Sequence, residues 1–387
     1  MRVLQIGASW FGHQLTGLER YYTELLTYLP SLGMELTAVA YELKDGPNID
    51  GLNLVSFGTQ KKSIVRQFVD QRRTLRPQFK NGLDLVVSHC TPSIFPSLSD
   101  LGDKPLICHF HGPRYLERTL EGANSLSVQL SKYIENRVYG RTNYFITLSH
   151  YMKRLLVETY SVAEDKISVI PGGVDINQFS PHLSRAEARA RLELHRDRPI
   201  ILAVRRLERR MGLHNLIDAM SKVVRIEPNV LLLIAGRGTL QDQLLQHIHA
   251  RKLSEHIELL GAIPDQVLPL LYRSADFSIV PTLCYEGFGL ILAESLACGT
   301  PALGTPVGAI PEVLRPLSSS LLLESVRPEH LSEGIVEALV GDRTLPSAQE
   351  CQQYAAEKYA WPVIAKQVHA VYHNIVASCR PNQLSVG

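Results

Sequence analysis

The sequence lacks the features that mark several large protein classes. Its six cysteines, Cys90, Cys108, Cys284, Cys298, Cys351 and Cys379, are scattered and form no CxxC pair. This argues against a disulfide framework and suits reduced, mostly buried thiols. No apolar run reaches the roughly eighteen residues a membrane-spanning helix needs. Polar residues interrupt Arg2-Val3-Leu4-Gln5-Ile6-Gly7 too early for a signal-peptide core, so a cytoplasmic location is expected. A formal net charge of +2 is too small to imply nucleic acid by itself, and no nucleic-acid partner is expected. The loop from Gly7 to Gly17 carries neither the GK[ST] of a P-loop nor GxGxxG. Short-period repeats and low-complexity tracts are missing as well.

What the chain does have is alternation. At 387 residues it exceeds what one core usually supports, so two domains are expected. Short apolar runs alternate with helical patterns, as in a parallel α/β sheet. Residues 3–6, 35–41, 83–88, 105–110, 144–148 and 167–170 read as strands of a first domain. The cluster Pro171-Gly172-Gly173-Val174-Asp175 breaks the pattern, which sets domains at 1–175 and 176–360. Ser184-Arg185-Ala186-Glu187 is a capping box that opens the second domain. Its strands fall at 200–204, 230–235, 256–260 and 276–280, and 329–339 and 348–377 read as helices.

The most informative stretch is Glu286-Gly287-Phe288-Gly289-Leu290-Ile291-Leu292-Ala293-Glu294, after the fourth of those strands. Two glycines deliver the chain into an apolar helical run that stops at Gly299. A helix N-terminus exposes unpaired N–H groups and partial positive charge, which suits phosphate. Carboxylates accept hydrogen bonds from hydroxyls, so Glu286 and Glu294 together suggest a nucleotide sugar. The alternative is a surface Glu294 and a plain turn. Arg205, Arg206, Arg209 and Arg210 stand between a strand end and a helix start, either as an anion clamp or as a solvated basic turn. Gly17 opens a helix after the first strand, which lets a phosphate or sugar approach, or simply makes a tight turn.

Strand alternation puts His109 and His111 on one face, but no matching ligand cluster lies nearby in sequence, and a metal is not expected. His111, before a Gly-Pro turn at a strand's carboxyl end, is placed to face a ligand or serves as a structural histidine. The segment 61–80 sets Lys61, Lys62, Arg66, Arg72, Arg73, Arg76 and Lys80 against Asp70 alone, interleaved with Ile64, Val65, Phe68, Val69, Leu75 and Phe79. Such a basic amphipathic helix rests on anionic lipid or forms a solvated face.

Taken together, these residues resemble a known family over nearly the whole chain. Glu286 and Glu294 match an E-x7-E motif. Arg206-Leu207 matches a GRL-like motif, Pro171-Gly172-Gly173-Val174-Asp175 stands in the place of PNGVD, and Thr16-Gly17-Leu18-Glu19 in the place of GGxE. Val307-Gly308-Ala309-Ile310-Pro311-Glu312 completes the set. The chain is similar to family 4 retaining glycosyltransferases of the GT-B type, the group 1 glycosyl transferases. The resemblance implies an α/β fold of two Rossmann-like domains facing a central cleft, with a helix in 361–387 crossing back to the first domain before a disordered tail. It implies transfer of a hexose from a nucleotide diphosphate sugar, UDP by default, to a hydroxyl acceptor in polysaccharide, glycolipid or envelope-glycan synthesis.

By the same resemblance, Glu294 holds the ribose and Glu286 the donor sugar, with backbone amides of Phe288, Gly289 and Leu290 around sugar and phosphates. Arg206 neutralises the diphosphate, Gly17 approaches it from the first domain, and His111 sits near the reacting sugar. No cofactor and no metal are implied. The family's usual lysine is Met211 here, so Arg209 or Arg210, with Arg210 preferred, is expected to take its place. A GT-B epimerase and a catalytically silent nucleotide-sugar-binding subunit are the alternatives.

Overall fold

The computed structural model describes residues 1–10, 16–42, 48–60, 62–79 and 82–379. Part of the loop before Gly17, Lys61 and Lys80 at the ends of the basic segment, and the tail 380–387 lie outside the described residues. The chain divides into two compact units, Met1–Gly173 with Trp361–Gly387, and Val174–Ala360.

The first unit is built on strands β1 (Arg2–Ser9), β2 (Glu35–Tyr41), β3 (Leu52–Ser56), β4 (Leu85–Ser88), β5 (Leu106–Phe110), β6 (Tyr144–Thr147) and β7 (Ile167–Val169). They lie in the order β3-β2-β1-β4-β5-β6-β7, and their pairings are parallel. Strands such as Leu85-Val86-Val87 and Leu106-Ile107 are buried throughout, as expected when helices cover both faces. The second unit carries β8 (Ile200–Val204), β9 (Leu231–Ala235), β10 (Ile257–Gly261), β11 (Phe277–Val280) and β12 (Ala302–Gly304), in the parallel order β10-β9-β8-β11-β12.

In each sheet the strand order reverses direction once, between β1 and β4 and between β8 and β11. Loops leaving the carboxyl ends of those strands diverge there and open a crevice, the usual ligand position in such sheets.

Several expectations need correction. Two strands are not evident in the sequence, β3, a half-exposed edge strand, and β12, which has only three residues. The helix Ser125–Arg141, capped by the Asn124 side chain, is not evident either. Leu126 and Leu130 of that helix point to solvent while Ile134 and Val138 are buried, which blurs the helical periodicity. The pattern over 348–377 is two helices, Ala348–Tyr359 and Trp361–Cys379, broken at Ala360 with ψ 133°. Pro362 cannot sit inside a helix but fits its first turn, so a new helix starts at Trp361. That helix packs into the first unit, where Trp361 is fully buried and hydrogen-bonds Glu24. The Ser184–Glu187 capping box forms as expected.

Candidate functional site

In the second unit, the crevice between β8 and β11 is lined by the loop Arg205–Gly212 and the loop Pro281–Gly289. The helix Leu290–Ala297 begins at Gly289, whose left-handed φ of 80° and ψ of 68° turn the chain sharply into it. A side chain at that φ would be strained, so glycine is required. Leu292 N–H bonds back to Gly289 O at 2.8 Å, while Phe288 is buried edge-on against Tyr359. Leu290 follows as the first helical residue, partly exposed. The helix ends where Gly299, at φ 72°, donates to Leu296 O.

Glu286 and Glu294 are both buried, so a surface Glu294 is excluded. Glu294 lies in the middle of the helix and accepts a hydrogen bond from the Tyr272 hydroxyl at 3.0 Å. Glu286 is fixed from several directions. Its Oε2 accepts from Arg205 Nη2 at 2.7 Å and from Thr282 Oγ1 at 3.1 Å. Its backbone carbonyl accepts from Ala309 N–H at 3.0 Å. Gly308 comes so close that a Cβ there would lie 2.4 Å from Glu286 O. The preceding Tyr285 has a left-handed φ of 54°, and its carbonyl accepts from Arg210 Nη1 at 3.1 Å. Burial alone raises the Glu286 carboxyl, but the positive charges of Arg205 and Arg210 and the hydrogen bonds from Arg205 and Thr282 outweigh it. The group is held below the usual carboxylate range as an anion.

The arginine cluster thus divides differently from the sequence expectation. Arg205, which that reading gave no individual role, is the buried member and pairs with Glu286. Arg206, expected as the diphosphate clamp, is exposed at the loop surface. Arg209 is exposed, Arg210 is half-buried against the Glu286 loop, and Met211 is in the core. Alternation explains the split, because Arg205 and Leu207 turn inward and Arg206 outward as the chain leaves β8. Thr282 and Tyr272 were also missed. Thr282 stands four residues before Glu286, but nothing in the sequence links Tyr272 to Glu294.

In the first unit, Gly17 comes after β1 and His111 directly follows β5. Gly17 is exposed and starts the helix Gly17–Tyr28. His111 is not alone. His89, at the end of β4, and His109 join it in a stack, with ring centroids 4.2 Å apart for His89 and His109 and 5.7 Å for His89 and His111. Tyr21 packs against all of them. No third ligand lies nearby in sequence, as expected, but the fold brings His89 in from a neighbouring strand.

The cluster nevertheless fits a metal poorly. His109 has both ring nitrogens engaged, at 3.1 Å from the Tyr21 hydroxyl and 2.7 Å from the Tyr372 hydroxyl. One ring nitrogen from each histidine lies within 4.8 Å of the others, but the His89 and His109 rings stack only 25° from parallel. His89 Nε2 meets Gln5 Oε1 at 3.0 Å, which assigns the hydrogen to Nε2. Burial lowers the basicity of all three, with the neighbouring rings adding to the effect for His89 and His109, and His111 is brought to about 3. His111 is thus a neutral imidazole whose Nε2 is buried without a hydrogen-bond partner among the described residues, suited to a hydrogen bond with a ligand rather than to binding an anion by charge.

Comparison with known proteins agrees with this geometry. The model of the Glycosyltransferase Family 4 matches residues 15–178, and that of the Glycosyl transferases group 1 matches residues 184–358. The chain is 30% identical over 237 residues to an uncharacterized glycosyltransferase of Methanocaldococcus jannaschii, a match spanning 59% of this chain and 59% of that relative's length. It is 28% identical over 305 residues to a phosphatidyl-myo-inositol mannosyltransferase of Mycobacterium tuberculosis, covering 76% of this chain and 75% of that protein. Among solved structures, HepE of Anabaena in complex with UDP and glucose matches with a TM-score of 0.79 at 18% identity, covering 97% of this chain and 100% of the other. With two parallel α/β units matched in turn by these two models, the chain has the GT-B fold and belongs to the group 1, family 4 glycosyltransferases.

Proposed function

We propose that the chain transfers a hexose, with retention of configuration, from a nucleotide diphosphate sugar to a hydroxyl acceptor. UDP is the default nucleotide, and an inositol or sugar-phosphate acceptor is favoured. One observation carries the reading: the buried Glu286 and Glu294 bracket the start of the helix Leu290–Ala297 at a topological switch point, with Arg205 and Arg210 beside Glu286. The UDP and glucose in the HepE structure and the mannosyltransferase name of the mycobacterial relative support the donor and acceptor classes.

In this reading Glu294 holds the ribose, Glu286 the sugar hydroxyls, and the amides of Phe288, Gly289 and Leu290 line the sugar and phosphates. Arg206 and Arg210 face the diphosphate, while Gly17 and the neutral His111 are proposed as ligand-contacting residues of the first unit. As the glycosidic C–O bond breaks, negative charge grows on the diphosphate, so fixed cations and helix dipoles lower the barrier more than they stabilise the ground state. The leaving diphosphate assists attack on the same face, which retains configuration without a covalent enzyme intermediate. The cations are side chains, and the reaction is proposed to need no metal.

The acceptor is proposed to lie at an anionic membrane surface. No helix among the described residues is long and apolar enough to cross a membrane. The helix Ile64–Gln78, however, exposes Ile64, Val65 and Val69 beside Arg66 and Arg73, while Leu75 and Phe79 pack inward. Leu126, Leu130 and Tyr133 are exposed on the helix Ser125–Arg141, and Tyr133 and Phe68 both pack against Phe95. Apolar side chains flanked by arginines suit the headgroup boundary of an anionic bilayer.

A panel of UDP-, GDP- and ADP-hexoses tested by thermal shift and hydrolysis fixes the donor. One of them should raise the melting temperature and be hydrolysed slowly. If none binds, the reading fails, and conversion to an epimer without transfer would replace it.

A further inference from the structure

We infer that Arg205 is a positioning residue of the donor site, holding Glu286 in the orientation that receives the donor sugar. The inference rests on the donor-site reading above. Arg205 Nη2 lies 2.5 Å from Thr282 Oγ1 and 2.7 Å from Glu286 Oε2, and Thr282 Oγ1 lies 3.1 Å from the same carboxylate oxygen. The three side chains close a triangle that leaves that oxygen one direction in which to point. All three residues are buried, so the ion pair is screened little by solvent and is sensitive to loss of either partner.

The backbone around the triangle is equally constrained. Arg205 N–H donates to Ala235 O at 2.8 Å, and a Cβ on Gly236 would lie 1.8 Å from Arg205 O, which pins the arginine's own main chain. On the opposite side, Ala309 N–H and the close approach of Gly308 pin the main chain of Glu286. The pair therefore joins two rigid loops on either side of the crevice, and the carboxylate is set before any ligand arrives. Arg205 Nε is itself buried with no hydrogen-bond partner among the described residues, so the guanidinium's hold on the crevice runs through Nη2 and Glu286.

The role separates sugar from nucleotide, and the test uses that separation. Dissociation constants are measured for UDP-glucose, GDP-mannose and ADP-glucose, each beside its own nucleoside diphosphate, on wild type, Arg205→Gln, Arg205→Lys and Glu286→Gln. For the donor that wild type binds, Arg205→Gln is expected to weaken the nucleotide sugar at least tenfold while changing the nucleoside diphosphate by less than twofold. Arg205→Lys should recover part of the loss, and the double variant Arg205→Gln/Glu286→Gln should be no worse than Glu286→Gln. With Arg205 gone, burial raises the Glu286 carboxyl less opposed, with Arg210 the remaining facing cation, so the acid limb of the hydrolysis profile should move to higher pH. If nucleotide sugar and nucleoside diphosphate weaken together, or neither changes, Arg205 is not a positioning residue although the donor site stands. If wild type binds no nucleotide sugar, both readings fall. Should Arg205→Gln not fold, Arg205→Lys and Thr282→Val carry the same comparison, with a smaller loss expected for each.

Discussion

Tyr272 donates its hydroxyl hydrogen to Glu294 at 3.0 Å, so a side chain of a neighbouring helix fixes the carboxylate proposed to hold the ribose. Hydrogen bonds to charged groups are worth about 1.5–3 kcal/mol, and a buried acceptor left without its donor costs a similar amount. Tyr272→Phe should therefore destabilise the second unit by about 1–3 kcal/mol in denaturant unfolding. Glu294→Gln should weaken nucleoside diphosphate by roughly tenfold or more, since 1.4 kcal/mol is tenfold in affinity. An unchanged dissociation constant for every nucleoside diphosphate would remove Glu294 from the nucleotide site.

Gly308 gives a second outcome. Its φ is 60°, and a Cβ would lie 2.4 Å from Glu286 O and 2.9 Å from Glu286 N. Gly308→Ala must push the Glu286 backbone away, at a cost of about 1–3 kcal/mol for the strained conformation. Turnover should fall more than nucleoside diphosphate affinity, because Glu294 sits on a helix the substitution does not touch. Steady-state kinetics beside titration calorimetry check the split.

The stacked histidines predict a pH dependence of stability. His89 and His109 lie well below the usual value of 6.5 through burial, added to by their neighbours, and burial brings His111 to about 3. Below 6.5 the unfolded chain therefore binds more protons than the folded one, so this contribution is full above 6.5 and is lost as pH falls toward the folded values. Each histidine adds a slope of at most about 1.4 kcal/mol per pH unit. Glu135 acts in the opposite sense. Burial raises it from 4.5 to about 7 against hydrogen bonds from Tyr160 and the Arg114 and Tyr115 amides, so its contribution is full below 4.5 and fades toward pH 7. With three histidines against one glutamate, urea unfolding of the first unit should show stability rising between pH 5 and 6.5. His89→Gln with His111→Gln should flatten the rise, and an unchanged slope would contradict the assignment.

Membrane contact is tested by flotation. Wild type should float with vesicles containing phosphatidylserine and far less with phosphatidylcholine alone, and Val65→Glu with Val69→Glu should abolish the difference. Equal recovery with both lipids would remove the proposed surface.

The sequence exposed most of the scaffold because parallel strands buried on both faces are continuous aliphatic runs, as at 200–204 and 231–235. It exposed the Glu286–Glu294 stretch because glycine, carboxylate and helix start are all local. Contacts made by the fold were not legible. Nothing in the linear order joins Arg205 to Glu286, Tyr272 to Glu294, or His89 to His109 and His111, since each pair meets only when separate elements are brought together. The inward turn of Arg205 instead of Arg206 depends on how the chain leaves β8, a matter of one residue in register.

The most direct measurement is release of nucleoside diphosphate from the donor that wild type binds, without acceptor, for wild type beside Glu286→Ala. The account predicts slow release by wild type, free hexose as the other product, and none above background from Glu286→Ala. Equal release by both proteins, or an epimerised nucleotide sugar in place of hexose, would contradict it.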